Sequence, residues 1–324
     1  MAKHYDVIVV GLGGMGSAAL YHLAKAGRRV LGVERFGIPH EMGSSHGLTR
    51  IIRLAYFEHP DYVPLLRRSY ELWDELEAIR GETLLVKTGS LDVSDPDDDV
   101  FRGSLDSCER HGLVHETLTA NEVRARFPAY RLWPEAMAVY QPDGGFLVPE
   151  RCIEAHVEAA RRHGAEARTH LVVDGWEETG SGVEVTTDQG VYHGDALVLT
   201  AGAWTSDLTS LAAHLEVERQ VLVWFETKGA DAFTPQRFPV FNIRGPFGHY
   251  YGFPEYGIPG VKVGKYHHLA EVVDPDTVGR DTSPMDEAPI RSFMESVFPD
   301  AAGVSLKTKV CLFTNTPDEH FIVD

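Results

Sequence analysis

Cysteine is scarce in this sequence: three residues in 324, at positions 108, 152 and 311, an odd number at wide spacing. That excludes a disulfide framework and a zinc ligand set, and it fits a reducing compartment. Basic side chains are also in short supply, with 30 Lys and Arg against 48 Asp and Glu and a net charge of −18. So acidic a surface repels phosphate backbones, and no basic stripe offsets it, which excludes a general nucleic-acid binder. Long uninterrupted apolar runs are missing as well. The one candidate, Val7 to Ala24, is broken by Gly11, Gly13, Gly14 and Gly16, whereas a membrane helix needs about 20 apolar residues of good helix propensity. The expectation is a cytoplasmic protein with no targeting segment and no membrane partner. The chain has no internal repeat or low-complexity tract. Its 43% apolar content is ample for packed cores, and its length suggests about two domains.

The glycines that break the apolar run carry the first chemistry. Tyr5 to Val10 (YDVIVV) reads as a strand buried on both faces of a parallel sheet. Ser17 to Ala26 reads as a helix with Leu20, Leu23 and Ala24 on one face and Gly27 as its stop. A second strand, Arg29 to Val33, closes on Glu34. Gly11, Gly13 and Gly16 thus spell G-x-G-x-x-G at a strand-to-helix turn, with an acid 18 residues after the last glycine. Gly11 permits the tight turn, Gly13 admits a pyrophosphate to the backbone, and Gly16 lets helix and strand pack closely. The helix N-terminus would hold the pyrophosphate and Glu34 the adenosine ribose. This fingerprint serves FAD and NAD alike, while Glu34 disfavours NADP by repelling its 2′-phosphate.

Further on, His40 to Tyr56 (HEMGSSHGLTRIIRLAY) suits a loop around a phosphate or flavin that enters a helix, with Arg50 and Arg53 sharing one face. The same spacing also suits two solvated arginines on an amphipathic helix. Asp61 to Ile79 reads as a helix stopped near Gly81, Leu84 to Val93 as strand, and Ser94 to Asp99 (SDPDDD) as a solvated acidic turn. Thr119 and Glu122 suggest a capping box for a short helix ending at Pro128. A helix over Glu150 to His163 carries Cys152 as a core thiol. Then come a short strand at His170 to Val173, a hairpin of Val183–Thr187 with Gly190–His193, and a separate buried strand at Ala196 to Thr200. The last runs into a small-residue turn at Ala201-Gly202-Ala203. From Glu218 to Phe313 the text is β-rich and aromatic, as for an antiparallel sheet with one face against a ligand.

The reading is an α/β dinucleotide-binding, Rossmann-like domain interleaved with an α+β substrate domain on a mostly antiparallel sheet. The first takes residues 1–83 and 149–217, the second 84–148 and 218–312, and 313–324 return to the first.

Several blocks then carry a family resemblance: GLGGMG with Glu34, GSSHGLTRIIRLAY, TAGAW, HYYGFP, VKVGKYHH followed by DPDT, and VCLFTNTPDEHFIVD. In this order they resemble the monomeric sarcosine oxidase and N-methyltryptophan oxidase family of covalent flavoproteins. The resemblance implies a monomeric two-domain FAD enzyme that oxidises the N-methyl C–N bond of a secondary amino acid. The imine hydrolyses to formaldehyde and the primary amine, and dioxygen becomes hydrogen peroxide. By the same resemblance Cys311 is the flavin attachment point, although a cysteine in an apolar strand is by itself an ordinary core residue. Arg53 matches the arginine facing the substrate carboxylate, Lys262 a lysine beside the flavin, and Tyr251 a substrate-lining tyrosine. His267 matches the active-site histidine when counted back from DPDT, whereas counting forward from Lys262 selects Tyr266. Gly14, Arg35, Ser44, Thr49, Arg50, Val173 and Gly202 fall at cofactor-contacting positions.

Phe313 stands where sarcosine oxidases carry a tyrosine near the substrate, and Asn242 where they carry a pocket-lining methionine. The family pattern continues beyond the position of Asp324, with a Gly-His-Gly-Phe-Lys segment whose lysine shares the carboxylate. The expectation is therefore a truncated chain, with half that clamp missing and little activity. Two other readings stay open: a non-covalent FAD or NAD dehydrogenase of another amino or imino acid, and an inactive flavin-binding remnant.

Overall fold

The computed structural model describes residues 3–323. Its first strand, β1 (His4–Val10), is buried without interruption from Val7 onward, as its β-branched text requires. Gly11 (φ +88°) turns the chain into α1 (Gly14–Lys25), which buries Leu20, Tyr21 and Ala24. β2 (Val30–Val33) returns parallel to β1. After a long loop come β3 (Arg50–Ile52) and α2 (Tyr62–Arg80), the latter stopped by the left-handed Gly81 (φ +70°).

β4 (Leu85–Lys87) and β5 (Ser90–Ser94) precede α3 (Asp99–His111), whose cap is Asp98 accepting from the Val100 N–H. β6 (Glu116–Thr119) enters α4 (Ala120–Arg126) through the expected Thr119–Glu122 capping box. β7 (Met137–Gln141) and β8 (Gly145–Leu147) lead to α5 (Pro149–Arg162), which carries Cys152 in the core. Next are β9 (Glu166–Arg168), β10 (Val173–Thr179), β11 (Gly182–Thr187) and β12 (Gly190–Leu199). The short α6 (Thr205–Leu208) connects to β13 (Glu216–Glu226), β14 (Val240–Gly245), β15 (Gly248–Phe253) and β16 (Gly260–Lys265). α7 (Pro284–Val297) and β17 (Ser305–Asn315) complete the chain.

Three sheets result. One has the order β10-β11-β12-β1-β2-β9, with a parallel centre and an antiparallel edge. A second has the order β17-β13-β16-β15-β14-β5-β7-β6, antiparallel except where β14 and β5 run parallel. β3, β8 and β4 form a small third sheet. α1 and α5 pack Leu20, Tyr21, Ala155 and Ala159 into the first core. α7 seats on the second sheet by stacking Phe293 on Tyr250 at 4.0 Å and 5°, a contact worth about 0.5–1.5 kcal/mol beyond its buried area.

Several expectations are corrected. Arg50 lies in a strand paired with β8, not on a helix shared with Arg53. Leu84 to Val93 is two strands in different sheets. His170–Val172 is irregular, and Gly190–Leu199 is one strand that serves both the hairpin and the parallel core. α7 is a helix within text read as β-rich, and α3 starts on the last residue of the acidic turn and runs through text with no expected element. Phe313–Asn315 remain in the larger sheet with β13, so the chain does not leave that sheet at residue 313. Phe321–Val323 has no regular structure, and Asp324 lies outside the described residues. Among the described residues no helix is long and apolar enough to cross a membrane, and no His, Cys, Asp and Glu cluster has metal-site geometry.

Candidate functional site

The glycine turn has the shape its sequence requires. A Cβ on Gly11 would stand 2.5 Å from the Thr200 carbonyl, and one on Gly16 only 1.7 Å from the Gly11 carbonyl. These two positions are filled by backbone. Gly13 and Gly202 differ, because a Cβ there would meet nothing within 4 Å, so both present bare backbone to open space. The Glu34 carboxylate is buried and held, accepting from the Leu12 N–H at 2.8 Å and the Phe36 N–H at 3.0 Å. Those bonds fix the acid against the turn and leave lone pairs for ribose hydroxyls. Leu171 N–H donates to the Glu34 carbonyl, which brings Val173, two residues on, toward the acid. Arg35 points elsewhere, pairing with Asp276 at 2.9 Å and lying over Trp204.

A second group forms where the loop after β2 meets the larger sheet. A Cβ on Gly14 would touch Ser45 Oγ at 3.0 Å, which joins this loop to the glycine turn. Ser44 Oγ donates to the Leu312 carbonyl at 2.5 Å. Cys311, wholly buried on β17 opposite Gln220, lies 3.6 Å from the Ser44 carbonyl. Lys262 on β16 is buried, and its Nζ donates to the Gly47 carbonyl (2.8 Å), the Thr49 carbonyl (2.8 Å) and Thr49 Oγ1 (3.0 Å). Burial and Arg50 push its pKa well below the ordinary lysine value, while three oxygen acceptors favour the ammonium form. The acceptors fit a charged Nζ better than burial fits a neutral one, since each N–H has its own oxygen. The sequence alone equally allowed an exposed strand lysine; the structure excludes that.

Around this group several buried polar atoms have no partner: both ring nitrogens of His46, both amide atoms of Gln220, Tyr251 Oη and Arg280 Nη1. Burial pushes His46 down to about 4, with Arg50 adding to the effect, so its imidazole is neutral. Six unsatisfied atoms in one region ask for a polar ligand. With the open glycine cradle and the fixed Glu34, they fit a dinucleotide bearing a polar ring system.

The third group is a cavity of about 380 Å³ lined by Arg50, Arg53, Tyr251, Tyr266, Phe253 and Phe313, among others. Arg50 joins it to the second group, since its Nη2 also donates to the Ser44 carbonyl. Arg53 is buried between Tyr56 and Phe57, its guanidinium carbon 4.5 and 4.8 Å from the ring centres. Its Nη2 donates to both Glu58 oxygens at 2.9 and 3.1 Å, and its Nε lies 3.4 Å from Asp92 Oδ1. Burial works against its charge, but Glu58 and Asp92 outweigh burial and raise its pKa. A permanently charged planar donor at the end of an aromatic cavity suits a carboxylate. Burial raises the Tyr251 and Tyr266 hydroxyls, so both rings stay neutral.

His267 is not in this cavity. Its Nδ1 pairs with Glu218 at 2.7 Å, its Nε2 with Glu319 at 3.3 Å, and it faces a larger opening of about 790 Å³. Burial lowers its pKa, yet Glu218 and Glu319 outweigh that and raise it. Asp207, Glu216, Asp274 and Asp276 line that opening too, which makes it a poor place for an anion. The residue in the cavity is therefore the one reached by counting forward from Lys262, Tyr266. Asn242, expected to line the pocket, is buried behind Tyr266 instead. Sequence reasoning missed Asp92 and Glu58, whose texts, SLDVS and YFEHP, carry no motif.

Comparison with known proteins agrees with this geometry. Residues 6–324 match the family described as FAD dependent oxidoreductase. The chain is 40% identical over 328 residues to the monomeric sarcosine oxidase of Streptomyces avermitilis, covering 100% of this chain and 85% of that protein. It is 33% identical over 325 residues to the N-methyl-L-tryptophan oxidase of Yersinia pestis, covering 99% and 86%. Among solved structures, it superposes on NikD, an unusual amino acid oxidase essential for nikkomycin biosynthesis, with a TM-score of 0.83 and 26% identity, covering 98% and 83%.

Proposed function

The chain belongs to the FAD dependent oxidoreductase family, and we propose that it is an FAD-dependent oxidase of N-methyl amino acids. Its relatives at 40% and 33% identity bear the names of such oxidases. The observation that carries the reading is the 380 Å³ aromatic cavity ended by Arg53 and joined through Arg50 to the loop beside Cys311.

FAD supplies the acceptor for the two electrons and protons lost when the N-methyl C–N bond becomes an imine. Water then releases formaldehyde and the primary amino acid, while dioxygen takes up two electrons and two protons as hydrogen peroxide. The chain's own part is binding and positioning. Arg53 offers the substrate carboxylate its guanidinium edge, in competition with Glu58. Tyr251, Tyr266 and Phe313 pack the aliphatic part and keep water out. Lys262 contributes a fixed positive charge where oxygen reduction builds up negative charge. Gly11, Gly13, Gly14 and Gly16 with Glu34 and Gly202 cradle the adenosine and pyrophosphate, and Ser44, Thr49 and Arg50 line the flavin end.

The covalent form of this reading attaches FAD through Cys311, supported by its burial beside the loop of residues 43–44. Acid precipitation of the purified protein is expected to leave a yellow pellet and a colourless supernatant, and Cys311→Ser to release the flavin into the supernatant. Yellow supernatant from the unaltered protein would refute attachment and favour a non-covalent flavoenzyme. Peroxide formation across a panel including sarcosine, N-methyltryptophan and pipecolate tests the oxidase; no peroxide with any of them sinks it.

The interleaved division, 1–83 with 149–217 and 84–148 with 218–312, is supported by which strands share a sheet. A cytoplasmic monomer is the matching state: three free, buried cysteines fit a reducing compartment, and the relative at 40% identity is named monomeric.

A further inference from the structure

Behind the cavity wall lies a polar chain whose inner members, Asn242 and Asp92, do not line the cavity while its ends, Tyr266 and Arg53, do. Register sets it up: β14 pairs with β5 so that Asn242 lies beside Asp92, and with β15 so that Asn242 lies beside Tyr251. The Asn242 side chain is saturated from both ends. Its Nδ2 donates to Asp92 Oδ1 at 2.8 Å, and its Oδ1 accepts from the Tyr266 hydroxyl at 3.0 Å. Asp92 is wholly buried, and the oxygen that takes the Asn242 bond is the one 3.4 Å from Arg53 Nε. The other oxygen, Oδ2, has no partner. Tyr266 is pinned further by His249, stacked at 4.0 Å and 20°, and by Tyr251, edge-on at 5.0 Å.

Resting on the reading of the cavity as a carboxylate site, we infer that Asn242 is a positioning residue that ties the Tyr266 wall to the Asp92 carboxylate beneath Arg53, and that the charge on Asp92 tunes how strongly Arg53 holds an anion. With Asp92 and Glu58 both ionised, the guanidinium is over-neutralised and a third carboxylate is disfavoured. With Asp92 protonated, Arg53 and Glu58 balance and the incoming anion meets no net negative charge. Asn242 sets which state prevails, because its N–H stabilises the ionised form only. It also turns the Tyr266 hydroxyl inward, so the substrate meets the ring and not a donor.

The groups facing Asp92 make it the one that switches. Burial raises Asp92 to about 6, against the pull of Arg53 and Asn242. Burial drives His249 down to about 3 and Cys108 up to about 12, and it raises Tyr56 and Tyr266. Arg53 stays charged. Glu58 is the remaining ionisable neighbour, and it needs a control.

The test is a titration of the flavin-loaded protein with acetate, followed by the flavin absorbance, at pH values between about 5 and 8. No turnover is involved, so failure here and failure of the oxidase reading are separate results. The acetate Kd is expected to weaken roughly tenfold as pH rises through the Asp92 transition, the effect of a coupling of about one pKa unit. Asn242→Leu should move the midpoint up by about one unit, since a donor to the carboxylate is gone. Glu58→Gln should move it down, because a neighbouring negative charge is removed. Tyr266→Phe should leave the midpoint in place and weaken acetate several-fold through a looser ring. A flat profile in the unaltered protein overturns the inference. So does a midpoint unmoved by Asn242→Leu; if that variant does not fold, an upward or absent shift in Glu58→Gln does the same.

Discussion

Replacing Arg53 with methionine is expected to raise KM for any N-methyl amino acid substrate by roughly 30-fold to 4000-fold, the range for breaking a buried charge pair worth about 2–5 kcal/mol. The guanidinium is held by two aromatic faces and by Glu58, so its edge is presented in one orientation. A methionine keeps the packing between those rings and removes the charge. Arg53→Lys keeps the charge but loses the planar fork, and an intermediate loss of about tenfold is expected. Folding should suffer too. Removing one partner of a buried pair costs about 3–5 kcal/mol when the other stays charged. Asp92, already raised to about 6, can take up a proton and reduce that cost. Steady-state kinetics and thermal unfolding check both parts; a KM within threefold of the unaltered protein would discard Arg53 as the carboxylate site.

Gly16→Ala should be more damaging to the fold, and the contrast with Gly13→Ala isolates the reason. The added methyl at residue 16 would stand 1.7 Å from the Gly11 carbonyl and 2.5 Å from Thr200 Oγ1. Both obstacles belong to the turn that α1 and β12 share, so relief requires moving backbone. Overpacking in a well-filled core costs about 1–3 kcal/mol, and a backbone clash lies at or above the top of that range. At residue 13 the methyl meets nothing within 4 Å. That variant should melt within a degree or two of the unaltered apoprotein and yet retain little flavin, because the methyl occupies the approach of the pyrophosphate. Flavin-to-protein ratio and Tm distinguish the two; equal flavin retention in both would reject the cradle.

How far the sequence could be read depended on periodicity. β1, α1 and β2 were legible because apolar text, glycine turn and acid all agree on one unit. α3 was hidden because its buried positions include Ser104 and Ser107, which blur the helical repeat. α7 was hidden by Pro284 and Pro289, although Ile290, Phe293, Met294 and Val297 keep helical spacing. Arg50 and Arg53 were assigned to a helix from their spacing of three; pairing of β3 with β8 decides otherwise, and no local signal reports a partner about 95 residues away. The site divides the same way. Residues inside motifs were identified, while Asp92 and the role of Asn242 depend on a register between β5 and β14 that no single segment encodes, and Glu58 sits in an irregular loop without a motif. The choice between Tyr266 and His267 was a one-residue ambiguity, and one residue suffices to move a side chain from one wall to another.

The pairing of β1 with β12 has a consequence for how the protein is made. Thr200 donates its N–H to the Val10 carbonyl and its hydroxyl to the Gly11 carbonyl, 189 residues away along the chain. A nascent chain therefore carries its glycine turn unsupported until the 189 residues that separate it from Thr200 have been made. Contacts of such separation are slow to close, and the exposed edges of β1 invite wrong partners in the interval. A nucleotide cradle built on this turn is complete only once β12 has arrived. Nucleotide binding at this turn therefore follows the pairing of β1 with β12 and cannot assist it.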